Sequence, residues 1–243
     1  GHFHFAKDPL NPKPIYWMHF NGGLIISSNI QAIKDALGDY FALSEDGLAS
    51  WLSGYPNPSV SLFKNINVLP IGYRLKITQG LNVEQIKFWD IEPEHQTRYA
   101  GQKEYSRHFI DLLSGSVKKA MASEKSSIVS QMSGGMDSTS ITALAQDVVK
   151  DTDKQLLPLS HLYQASDKCD EERLIDDMLS FLNIKHSIKM TVDQGADRNF
   201  LDLYPTDLQS PGTVLSPRYI RELELVKQAG ADVLLTGNGG DEM

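Results

Sequence analysis

The sequence predicts an α/β protein in two parts, the first resting on an antiparallel sheet with packing helices, the second on a doubly wound parallel sheet. Three observations predict it: hairpin chemistry near the start, alternation of β-like and helical runs after residue 101, and two glycine loops that each follow a β-like run. A chain of 243 residues with 41% hydrophobic content is long enough for two such cores.

In chain order, Ile15 to Phe20 and Leu24 to Ser28 flank Asn21-Gly22-Gly23, which is good hairpin chemistry. Asn29 to Leu37 has Ile30, Ile33 and Leu37 at helical spacing and stops at Gly38; Ser44-Glu45-Asp46-Gly47 opens a second short helix through Leu52. Leu62, Phe63, Ile66 and Val68, a Pro70-x-Gly72 turn and the alternating Tyr73 to Ile77 return the chain to the sheet, ending at Gly80. Ile91 to Gly101 is polar, holds Pro93 and lacks an apolar period, so the junction is placed there, with domains expected over 1–92 and 102–243.

Beyond the junction, Tyr105, Phe109, Leu112, Leu113, Val117 and Met121 share one helical face. A strand over Ser126 to Met132 follows, then a helix to Val149. Strands over Leu156 to Tyr163, His186 to Met190 and Asp232 to Thr236 alternate with helices over Asp170 to Leu182 and Pro217 to Ala229, the pattern of a parallel sheet covered on both faces.

The first glycine loop is Ser133-Gly134-Gly135-Met136-Asp137-Ser138. Gly134 and Gly135 can take positive φ and carry no Cβ, so consecutive N–H groups can face an anion while the following helix adds its positive end. Ser138 can donate to a phosphate oxygen, and Asp137 can hold Mg²⁺ or cap free N–H groups. No lysine follows the glycines to bridge β- and γ-phosphates, which argues against γ-phosphoryl transfer. The second loop, Gly237-Asn238-Gly239-Gly240-Asp241-Glu242, follows the last strand; ligands of open parallel sheets bind at the carboxyl ends of strands, so the two loops are expected to share one.

Composition narrows the classes. The net charge of −8, with Lys and Arg scattered, opposes nucleic-acid binding, and no apolar run approaches the ~20 residues of a membrane span. The single cysteine, Cys169, excludes an internal disulfide framework and a Cys-x-x-Cys pair. Without the basic and apolar regions of a signal peptide at its start, the chain is expected to be cytoplasmic.

The two loops resemble those of the asparagine synthetase family, whose synthetase domain carries a Ser-Gly-Gly-x-Asp-Ser pyrophosphate loop and a downstream Ser/Thr-Gly-x-Gly-x-Asp-Glu segment. Lys7 to Leu10, Lys13 to Trp17, Leu69 to Tyr73 and Phe88-Trp89-Asp90 are similar, in order, to the later part of the family's glutaminase-like domain. The resemblance implies the end of an Ntn-type glutaminase-like α+β domain followed by a PP-loop adenylating domain, within a longer protein. It also implies a ligase: a substrate carboxylate attacks the α-phosphate of ATP, pyrophosphate leaves, and ammonia or an amine displaces AMP. By the same resemblance ATP is held by Gln131, Ser133, Gly134, Gly135, Asp137, Ser138, Tyr163, Thr236 and Gly237, and Mg²⁺ by Asp137 and Asp241. Expected partners are the carboxylic acid, aspartate or a peptide or small-molecule acid, and the amine; a homodimer is an admissible assembly.

This sequence departs from the family at Asn238, where asparagine synthetases carry a glutamate thought to assist ammonia; Asn cannot accept a proton as a carboxylate does. β-Lactam synthetases and lasso-peptide cyclases, whose nucleophile is an amine of the substrate, vary at this position. Gln209-Ser210-Pro211 is also less acidic than usual in the family, and the amino-terminal cysteine of the glutaminase is not in this chain. Asparagine formation is therefore the default reading, with a cyclase or a non-catalytic nucleotide-binding relative as alternatives. Asp170 and Glu171 are weaker metal candidates, since acids at a helix start are favoured by the dipole alone. His2 and His4 lack a third ligand nearby and are set aside as surface residues. Trp17, Trp51 and Trp89 are expected in the core.

Overall fold

The computed structural model describes residues 1–10, 13–38, 42–53, 57–163, 171–192 and 216–240. They fall into two compact units, one within residues 1–97 and one from residue 98 onward.

The first unit runs β1 (Phe3–Ala6), β2 (Tyr16–Phe20), β3 (Gly23–Ser27), α1 (Ile30–Leu37), α2 (Glu45–Leu52), β4 (Asn67–Val68), β5 (Tyr73–Ile77) and β6 (Val83–Lys87). Its strands form two antiparallel sheets, ordered β3-β2-β4 and β1-β5-β6. The first hairpin turns on Asn21 and Gly22 alone, with φ of 46° and 74°, while Gly23 already pairs with Phe20. That is the two-residue turn whose twist suits the flanking strands. The Asn29 side chain accepts from the Gln31 N–H at 2.7 Å to start α1, and Ile30 and Ile33 bury the helix against Tyr16, Met18 and Val68. Gly80 does not end the sheet: with Leu81 it turns the chain into β6, an edge strand whose lack of apolar alternation left it unassigned in the sequence. Trp17, Trp51 and Trp89 are half-buried rather than core.

Two of the family-like motifs in this unit meet. The N–H groups of Phe88 and Trp89 donate to Gly72 O at 2.9 and 3.2 Å, and Gly72 itself has φ 76° with its Cα against the Trp89 carbonyl. A Cβ at residue 72 would collide with that oxygen in a conformation L side chains already disfavour.

The second unit runs α3 (Gln102–Ala120), β7 (Ser127–Gln131), α4 (Met136–Val149), β8 (Gln155–Tyr163), α5 (Glu172–Phe181), β9 (Ile188–Val192), α6 (Ser216–Gln228) and β10 (Ala231–Leu235). All its strand pairs are parallel, in the order β10-β7-β8-β9. The fold is thus mixed α/β with a parallel sheet. Ile128 faces Val117 of α3 and Ala145 of α4, whereas its neighbour Val129 faces the other way, onto Val226 of α6, so helices cover both faces.

The predicted apolar face of α3 is only partly used: Val117 and the adjoining Met121 are buried, but Tyr105, Phe109 and Leu112 are 44%, 55% and 61% exposed. A 19-residue helix is about 28 Å long, whereas a five-residue strand spans about 17 Å, so the early turns of α3 outreach the sheet that its last turns cover.

Replacing Gly72 by Ala is expected to lower the stability of the first unit by about 1–3 kcal/mol, read as a lower urea midpoint. An unchanged midpoint would show that the contact with Trp89 is not a constraint.

Candidate functional site

β7 is the sheet's first strand in sequence, with β8 and then β9 on one side and β10 on the other, so the strand order reverses across it. That is the topological switch point of an open parallel sheet, where a crevice opens beyond the carboxyl ends of the strands. Both glycine loops start there, from β7 and from β10.

In the first loop the backbone turns its N–H groups onto oxygen. The Ser133 N–H donates to Ser138 Oγ at 3.1 Å, the Gly134 N–H to Glu171 Oε2 at 3.1 Å, and the Gly135 N–H to Ser133 Oγ at 3.2 Å. Ser133 Oγ and Ser138 Oγ lie 3.0 Å apart, and Thr139 Oγ1 donates to Ser133 O at 3.1 Å, pinning the loop to the first turn of α4. Neither Gly134 nor Gly135 has positive φ; Gly135 is extended at φ −77°. The freedom the sequence suggested is unused, and what matters is the missing Cβ. One on Gly134 would sit 2.8 Å from Leu174 Cβ of α5.

The second loop lies directly on the first. A Cβ on Gly237 would stand 2.5 Å from the Ser138 nitrogen and 2.9 Å from the Asp137 carbonyl carbon, and one on Gly240 would fall onto the Asp137 carboxylate. Gly239 makes the turn with φ 95°, closed by the Gly240 N–H donating to Gly237 O at 3.3 Å.

Between these loops and α6 opens a cavity of about 840 Å³, whose lining includes Gln131, Ser133, Gly135, Asp137, Ser138, Tyr163, Gly237 and Asn238. Gly134 joins it through its bond to the lining residue Glu171. Thr236 follows β10 and is exposed outside that lining. Asp241, Glu242, Asp170, Cys169 and Gln209-Ser210-Pro211 lie outside the described residues. Among the described residues no group of three or more metal-ligating side chains occurs, at Asp137 or at His2 and His4.

The wall opposite the loops was not anticipated. Glu222 of α6 is 1% exposed, accepts from Gln131 Nε2 at 2.6 Å, and has its Oε1 3.6 Å from His161 Nε2. At 3.6 Å the latter is too long for a hydrogen bond, and among the described residues the buried His161 Nε2 has no hydrogen-bond partner. One helical turn earlier, Arg218 Nη1 donates to the Tyr163 hydroxyl at 3.1 Å, with its guanidinium carbon 5.5 Å from the ring centre. Burial pushes the Glu222 carboxyl up, but His161 and the Gln131 amide together outweigh it and hold the group below its ordinary value. The sequence offered one signal, an acid four residues before Val226 on the buried side of an amphipathic helix, but α6 carries a second acid, Glu224, and nothing local singles out this one.

A parallel sheet with paired glycine loops packed together at its switch point defines the class: an α/β protein whose crevice opens beyond the strand ends, where open parallel sheets place their ligands. The comparison with family models is more specific. Residues 108–243 match the family described as asparagine synthase, and the chain belongs to that family. Similar solved structures include an NH3-dependent NAD synthetase from Campylobacter jejuni (16% identity, TM-score 0.37, covering 51% of this chain and 53% of that one). An NMN synthetase from Francisella tularensis has 22% identity and TM-score 0.34, covering 55% of this chain and 53% of that one. A glutamine-dependent NAD+ synthetase from Acinetobacter baumannii, in complex with ADP, has 14% identity and TM-score 0.35, covering 72% and 32%. The chain spans about half the length of the first two structures or less of the third. Comparison with curated proteins gives no match. Among the described residues no helix is long and apolar enough to cross a membrane.

Two expectations follow. Gly240→Ala, which drives a methyl into the Asp137 carboxylate, is expected to weaken ATP binding at least about tenfold in calorimetry while circular dichroism stays unchanged; wild-type affinity would show that the loops need not touch. Because the folded chain holds Glu222 below its ordinary pKa of 4.5, the stabilisation is complete above that value and disappears as pH falls through the lower folded one. Melting temperature should therefore fall more steeply below pH 4.5 in wild type than in Glu222→Gln, and equal slopes would remove the assignment.

Proposed function

We propose that this chain is the ATP-binding part, with an adjoining glutaminase-like part, of an ATP-dependent ligase that forms amide bonds. The observation that carries the reading is the approach of Gly237 and Gly240 to Ser138 and Asp137, which makes two loops of the family pattern one cavity. Oxygen acceptors already occupy the N–H groups of Ser133, Gly134 and Gly135, so the loop is shaped for oxyanions; α- and β-phosphate oxygens would take up the same donors. In the reaction, a carboxylate oxygen bonds to the α-phosphorus as the bond to the pyrophosphate oxygen breaks. The amine nitrogen then bonds to the acyl carbon, and AMP leaves with its oxygen.

Mg²⁺ suits this cavity: Asp137 sits beside the loop, Asp241 is its expected companion, and a Mg-nucleotide site needs only one or two carboxylates besides phosphate oxygens. When bound, the ion neutralises the charge gathered on the phosphates. The protein's part is to line up the N–H donors, to keep Ser133 and Ser138 against them, and to hold Asp137 under the second loop. Small molecules are the proposed partners, with neither nucleic acid nor membrane involved. The first unit is proposed to be the end of an Ntn-type glutaminase-like domain.

Asparagine formation is the default reaction. Asn238 favours a second reading, because it lines the cavity without a carboxylate to take the proton of incoming ammonia. A substrate bearing its own amine, as in a cyclase, suits that wall as well.

Pyrophosphate release from ATP by the full-length protein, measured with aspartate plus ammonia and then with amine-bearing acids and peptides, distinguishes the two. Asp137→Ala and Asp241→Ala are each expected to lower release at least about 100-fold with the fold intact. Unchanged turnover in either variant would remove that residue's metal role, and no release with any acid would leave nucleotide binding without ligation.

A further inference from the structure

α6 and β8 are matched in step along the cavity wall. Arg218, Glu222 and Val226 recur at intervals of four on the helix, while Leu159, His161 and Tyr163 recur at intervals of two on the strand. Four helical residues rise about 6 Å and two strand residues about 6.6 Å, so the two series stay level. The result is three tiers. Val226 meets Leu159 and Val129, Glu222 meets His161 and Gln131, and Arg218 meets Tyr163.

The middle tier fixes a direction. A carboxylate only accepts, so the Gln131 amide must present its Nε2 to Glu222, as it does at 2.6 Å. An amide carries its oxygen on the opposite side from its nitrogen, and Gln131 lines the cavity, so Oε1 is the end turned from Glu222. With an apolar residue at 222 nothing would hold this sense of the amide. With a second amide there, either sense would be satisfied.

We propose that Glu222 is a positioning residue that makes the cavity prefer a purine nucleotide with an amino group at C6 over one with an oxo group there, by fixing Gln131 Oε1 as the acceptor offered to that position. This rests on the nucleotide-binding reading above. It places the choice of base on the α6 wall, apart from the loops that hold phosphate. His161 keeps the other flank of Glu222, at 3.6 Å, and Arg218 and Tyr163 close the tier above.

The test is calorimetric titration of the full-length protein with ATP, GTP and inorganic pyrophosphate. Wild type is expected to favour ATP over GTP by at least about tenfold. In Glu222→Gln, where Gln131 is free to turn over, the ratio narrows to about threefold or less while pyrophosphate affinity stays at the wild-type value. Gln131→Met, which removes the amide without touching α6, is expected to narrow it equally and carries the test if Glu222→Gln is shown by circular dichroism not to fold. Retention of the wild-type ratio in the folded variants overturns the proposal, as does a wild type without preference. Failure of the wild type to bind either ATP or pyrophosphate overturns the nucleotide reading, and this proposal with it.

Discussion

The site depends on two stretches of backbone coming closer than side chains allow. β10 and β7 are neighbours whose register shifts once between Ala231 and Leu234 and ends with Leu235 beside Ser130, so the chain leaving β10 emerges beside the loop leaving β7. It then passes over the first turn of α4, where Gly237 touches Ser138 and Gly240 covers the Asp137 carboxylate. Any Cβ at those two positions would have to displace backbone or a carboxylate, and displacing backbone at the end of a buried parallel strand means displacing the strand. Glycine is required there by contact rather than by dihedral angle. Only Gly239, at φ 95°, is required by its angle.

From that approach the electrostatics follow. Folding the second loop over α4 brings Asn238 to the cavity and keeps Asp137 beside it, while the first loop turns its N–H groups onto side-chain oxygens. Donors so arranged would be costly if left bare, and Ser138, Glu171 and Ser133 each supply an oxygen. Glu171 is the informative one. It arrives from the chain entering α5, so on the proposed reading an incoming oxyanion would replace it while Thr139 still ties the loop to the first turn of α4.

The sequence made the two loops and the alternation of strands and helices legible because both are local: glycines between a β-like run and a helix, and runs whose period changes from two to 3.6. The hairpin at Asn21 was legible for the same reason. The elements missed or misjudged depend on what lies beside them rather than on their own pattern. Val83–Lys87 has no apolar alternation and becomes strand β6 because β5 offers it an edge. Tyr105, Phe109 and Leu112 share a face with Val117, yet the sheet ends before the helix does. Glu222 is buried only because Gln131, 91 residues earlier, stands opposite it, and no local pattern encodes that separation.

The two walls of the cavity hold their polar groups by different means, and this limits how function can be divided between them. On the loop side the donors are backbone N–H groups, whose positions are set by the fold and which cannot distinguish one phosphate ester from another. On the α6 side the groups are side chains, each fixed by a partner: Gln131 by Glu222, and Tyr163 by Arg218. Side-chain groups are replaceable without disturbing the sheet, whereas the loop groups are not. On the proposed nucleotide reading, affinity for the common part of the ligand would belong with the glycine loops and discrimination between its variable ends with the helix. Asn238 stands on the loop side but contributes a side chain. With Ser133, Asp137 and Ser138 it puts side-chain groups on the wall proposed for phosphate, which is where the incoming amine would also have to arrive if the acyl–phosphate bond is to be exchanged for an amide.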